Sequence, residues 1–92
     1  MPRYYFNLFN DLVSIDDEGR TLDGPAAARA FAVANIRALI SEDVQKGSLN
    51  LGHRVEILDA PRVKICTVRF ADALAIVPAP PDPPETGATR GH

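Results

Sequence analysis

From Ala26 to Lys46 the chain runs twenty-one residues without a glycine or a proline, bracketed by Pro25 before and Gly47 after. Proline suits a helix's first turn, where its missing N–H has no partner to lose, and glycine suits the left-handed residue that ends one. The spacing predicts a single long helix with Asp23 or Gly24 as its N-cap. Val33, Ile36, Ile40 and Val44 recur at three- and four-residue steps, flanked by Ala32 and Leu39, and this stripe should face a sheet. Glu42 and Lys46 form an i,i+4 pair on the solvated side.

What lies on either side of the helix reads as strand. Residues 3–9 are rich in aromatic and apolar side chains, with Tyr4, Phe6 and Leu8 on one face and Tyr5, Asn7 and Phe9 on the other. Asn10-Asp11 makes a tight turn, residues 12–15 return as a short second strand, and Asp16-Asp17-Glu18-Gly19 closes it. After the helix, residues 53–58 and 63–70 alternate as third and fourth strands around the turn Asp59-Ala60-Pro61-Arg62. Ala71 to Val77 is either a strand extension after a bulge or a short helical turn. The order is β-β-α-β-β: an α+β fold with a four-stranded, mainly antiparallel sheet and one long helix packed on one face.

The composition changes after Val77. Residues 78–92 hold five of the eight prolines and no Ile, Leu, Val or aromatic residue, so this segment is expected to be a disordered proline-rich tail. The folding unit is residues 1–77. A core that small is marginal by itself, and self-association is a common remedy. The single cysteine forbids an internal disulfide, no apolar run reaches the roughly 18 residues that span a bilayer, and the N-terminus lacks a signal peptide's apolar stretch. A cytoplasmic protein without a membrane partner is expected. Its length rules out large two-domain enzyme folds.

One helix covers one face of a sheet, yet the first strand is apolar on both sides. Phe31 projects roughly opposite the Val33/Ile36/Ile40 stripe, where a solvated helix normally carries charge. Tyr5, Phe9 and Phe31 are therefore the candidate contact residues for a partner, most simply a second copy of the chain. The net charge of −2 conceals an uneven layout. Residues 1–23 carry two arginines against five acids; residues 53–70 carry Arg54, Arg62, Lys64 and Arg69 against Glu56 and Asp59. Complementary charge of this kind orients two protomers. The same four cations beside exposed aromatics are the candidate contacts of an alternative, nucleic-acid-associated module.

Catalytic signatures are missing. Asp11, Asp16, Asp17, Glu18 and Asp23 do not follow a calcium-loop spacing and read as a solvated turn and helix-start acids. His53 and Cys66 lack a local nucleophile–base signature, and Cys66 reads as a small buried hydrophobe. Ser14, Ser41 and Ser48 have no nucleophile-elbow context, and no phosphate-cradling glycine loop is present. No catalytic residue, cofactor or metal is expected.

The order of M-P-R-Y-Y-F-N, D-D-E-G-R-T-L, A-A-A-R-A, R-V-E-I-L-D and T-V-R-F-A-D-A-L resembles a family of small bacterial proteins. Its members open M-P-x-Y-F-F-H and continue through D-x-E-G-x-E-L and an A-A-R helix to a terminal V-P-F-x-D-A. The resemblance covers residues 1 to about 76, and it implies a domain of unknown function with no assigned activity. Asn7 stands where many such relatives have His, and Arg69 where they often have Pro. Asn cannot exchange a proton at neutral pH, so a hydrogen-bonding role at position 7 is the expectation. A looser likeness, over the first half only, is to HicB-type antitoxins, which begin with a hairpin before a helix; their P-D-L-x-G-C pattern is absent, although Leu22-Asp23-Gly24 sits near its place. The leading expectation is a non-enzymatic module that self-associates or binds another protein.

Overall fold

The computed structural model describes residues 1–82, and the last ten residues of the expected tail lie outside it. Five strands and one α-helix follow in the order β1 (Arg3–Phe9), β2 (Val13–Ser14), β3 (Arg20–Thr21), α1 (Pro25–Gln45), β4 (Arg54–Leu58) and β5 (Lys64–Arg69), closed by a 3-10 turn at Phe70–Ala73. The sheet is antiparallel with order β2-β1-β4-β5, and β3 pairs with β1 beyond β2. This is the α+β arrangement expected, with one addition. Arg20 and Thr21, read as a lead into the helix, form a two-residue strand against Tyr4 and Arg3.

Cross-strand partners share a face, so the register sorts the sheet into two surfaces. Phe6 opposes Ile57, Leu8 opposes Val55, and these in turn oppose Cys66 and Val68. With Tyr4 they form the surface beneath α1. Ala28, Ala32, Ile36 and Ile40 are the helix residues buried against it, together with Phe70 and Ala73. The buried stripe thus runs through alanines that allow close approach, and it is rotated from the stripe expected around Val33. Val44 is consequently 57% exposed. Phe31, expected on the far side, sits about 60° round the helix from Ala28 and is half-buried against Phe6, ring centroids 5.0 Å apart.

The ends of α1 follow local chemistry. Gly24 is the N-cap and Pro25 opens the first turn; Lys46 is the C-cap and Gly47 takes φ 85° beyond it. The turn at Phe70–Ala73 packs on the helix, where Arg37 Nε donates to the Ala73 carbonyl at 2.8 Å. The turn therefore adds cover on the helix side, where Phe70 and Ala73 are buried, whereas Ile76 and Val77 beyond it are exposed. Among the described residues no helix is long and apolar enough to cross a membrane.

Candidate functional site

The sheet face away from α1 carries Tyr5, Asn7 and Phe9 from β1, Arg54, Glu56 and Leu58 from β4, and Thr67 and Arg69 from β5. Val13 opposes Phe9 on the same face, and Val13 and its neighbour Ile15 are 59% and 53% exposed. Two aromatic rings here are roofed by guanidinium groups rather than by a second layer. Arg54 lies 4.2 Å from the centroid of Phe9, and Arg62 4.0 Å from that of Tyr5. Such contacts stabilise by about 0.5–1 kcal/mol at exposed positions. They leave Tyr5 and Phe9 half-buried.

Cations gather on one half of this face. Arg54 Nε bonds Glu56 Oε2 at 3.1 Å, and Lys64 Nζ approaches the same oxygen at 3.8 Å. Arg69 stands directly opposite Arg54 and makes no ion pair among the described residues. Glu56 already offsets Arg54, so Arg69 is the cation of this pair that no carboxylate among the described residues balances. Lys64 reaches this half because Ile65 is an extra residue at a bulge, with Ile57 facing Cys66 and Leu58 facing Lys64.

Arg62 is held in place by an uncommon backbone. It is the only non-glycine among the described residues with positive φ, 65°, at the end of the turn between β4 and β5. Its N–H donates to the Asp59 carbonyl at 2.8 Å, and Val63 N–H donates to Asp59 Oδ1 at 3.0 Å. Its guanidinium also donates to the Asp16 carbonyl at 3.1 Å, linking the second hairpin to the acidic turn.

Asp16 organises that turn. Its carboxylate accepts from the backbone N–H of Phe6 at 3.0 Å, Glu18 at 3.1 Å and Gly19 at 3.0 Å. Burial works to raise its pKa, but the N–H donors of Gly19, Phe6 and Glu18 and the Arg62 charge outweigh burial and hold it below 3.8. In return Asp16 N–H donates to Asn7 Oδ1 at 2.9 Å, and Asn7 is only 8% exposed. Asn7 thus has a hydrogen-bonding role that requires no proton transfer. The remaining acids do not converge, and no group of three potential metal ligands exists among the described residues. His53 and Cys66 are not brought together: Cys66 opposes Ile57 beneath the helix, whereas His53 Nε2 lies 3.5 Å from Asp11 and its ring meets Phe70 edge-on.

The structure therefore unites two of the three candidate contact aromatics, Tyr5 and Phe9, with all four candidate cations, and places Phe31 on the other side of the sheet under Arg20. Fold and site define a small α+β domain with one covered and one open sheet face. Residues 3–71 match the family model described as Domain of unknown function (DUF6894), and the chain belongs to that family. No curated protein and no solved structure matches the chain.

Proposed function

We propose that the protein is a non-enzymatic, self-associating module whose contact surface is the open sheet face. The observation that carries this reading is the layout of that face: Tyr5 and Phe9 at its centre, exposed Val13 and Ile15 at one edge, and cations concentrated toward the other. Exposed apolar side chains grouped on one face favour a partner. Charge selects a second copy. A two-fold axis along the strands, between β1 and β4, lays the half bearing Arg54, Lys64 and Arg69 over the partner's β2 side with its acidic turn at Asp16, Asp17 and Glu18, and the reverse contact follows by symmetry. Sedimentation velocity of the full chain at high micromolar concentration is expected to give a dimer. The double variant Arg54→Glu/Arg69→Glu is expected to be a folded monomer. A wild-type monomer under those conditions overturns the reading.

The gathering of four cations beside Tyr5 and Phe9 also supports a second reading, a nucleic-acid-associated module. Guanidinium groups already occupy both rings, and the neighbouring acidic edge repels phosphate, so the first reading is preferred. Single-stranded RNA binding that weakens steeply with salt would favour the second; absent or salt-insensitive binding removes it.

A further inference from the structure

The helix side of the sheet holds a different kind of feature. Where residues 15–19 turn away between β2 and β3, a groove of about 300 Å³ remains between β1 and α1. Its walls are Phe6, Leu8, Phe31, Leu39 and Val55, and its rim is formed by Asp16, Arg20 and Asn35. The rim groups are unequally engaged. Both Asp16 oxygens accept backbone N–H groups, and Asn35 Nδ2 donates to the Phe31 carbonyl at 2.9 Å. The Arg20 guanidinium lies 4.7 Å from the Phe31 centroid and makes no ion pair among the described residues.

We infer that this groove is a binding site for a small amphipathic anion, with a compact apolar or aromatic body against Phe6, Leu8 and Leu39 and an oxyanion on Arg20. The volume is at the lower end for small-molecule sites, which pair apolar walls with a few fixed polar groups. A guanidinium stacked on an aromatic ring is already oriented, so less freedom is lost when its fork meets a carboxylate. Hydrogen bonding distinguishes this cation from the neighbouring Asp16: both carboxylate oxygens are held by backbone N–H groups, and the guanidinium makes no ion pair among the described residues.

The test is an NMR titration of the full chain with 3-phenylpropionate and with its neutral isostere, 3-phenylpropanol. The acid is expected to bind saturably, with shifts centred on Phe6, Leu8, Phe31 and Leu39, and about tenfold more tightly than the alcohol. Arg20→Gln should reduce the acid to the alcohol's affinity. Asn35→Trp, at an exposed helix position on the rim, should block both, and the same spectra report whether each variant is folded. The inference is overturned by the absence of saturable shifts, by equal affinity for acid and alcohol, or by shifts centred on Arg54 and Arg69. The groove and the open face lie on opposite sides of the sheet, so either result stands independently of the oligomeric state.

Discussion

Beneath α1, Ile36, Ile57, Val68 and Phe70 are sealed from solvent; on the other side of the same strands Tyr5, Phe9 and Leu58 are half-covered, two of them by arginine. The first surface is closed by shape: small alanines bring the helix down, and apolar side chains fill what is left. The second is closed by charge, with long side chains lying on rings while their heads stay in water. A covered surface of the first kind contributes stability. A surface of the second kind gives up little when its arginines move, so it is suited to exchange one neighbour for another.

The sharpest way to break this contrast is to truncate one aromatic on each side. Phe70→Ala is expected to lose about 3–5 kcal/mol of unfolding free energy, as large buried side chains do, whereas Phe9→Ala should lose about 1 kcal/mol. Urea denaturation measures both, and equal losses would mean that the open face is part of the core. Next comes the turn that joins the two surfaces. Gly19 has φ 73°, and an added Cβ would lie 2.8 Å from the Tyr4 carbonyl oxygen and from the Tyr5 ring. Gly19→Ala should therefore destabilise by about 2 kcal/mol, more than the ordinary penalty for a left-handed alanine.

A pH series sharpens the comparison further. Because the folded-state pKa of Asp16 is depressed, the unfolded chain binds its proton first as pH falls. The stabilisation is complete above the unfolded value, about pH 5 and higher, and is lost as pH drops through 3.8 toward the folded value. Asp16→Asn should flatten that segment of the stability profile relative to wild type; unchanged acid dependence would show that other carboxylates set it. The smallest effect concerns Arg62. Arg62→Gly and Arg62→Ala both remove the stack on Tyr5, but only glycine relieves the left-handed backbone. The glycine variant should be more stable by about 1 kcal/mol. A more stable alanine variant would show that positive φ at this position is not strained.

Much of this architecture was legible in the residues. Period-two alternation separated Tyr5 and Phe9 from Tyr4, Phe6 and Leu8, and Pro25 and Gly47 marked the helix ends to within a residue. The orientation of Phe31 was not legible. Hydrophobicity ranks Val33 and Val44 above Ala28 and Ala32, yet close approach to a sheet favours the smaller side chains, and that rotated the helix. β3 was hidden because two residues carry no periodicity. The Asp-x-x-Gly spacing of Asp16 and Gly19 signalled a local turn; its bond to Phe6, ten residues away, depends on chain geometry that no local pattern encodes. The residue pattern of Ala71 to Val77 fits both a strand extension and a helical turn; packing on α1 makes Phe70–Ala73 a turn, and the chain is extended from Leu74.

The bond from Phe6 N–H to Asp16 has a consequence for growth. It fills the interval on β1 between its short ladders with β2 and β3, so that side offers a newcomer no continuous row of donors and acceptors. At the opposite margin, β5 carries its bulge at Ile65, which breaks the row of donors and acceptors there as well. Both margins of the sheet are thus interrupted, which discourages edge-to-edge growth.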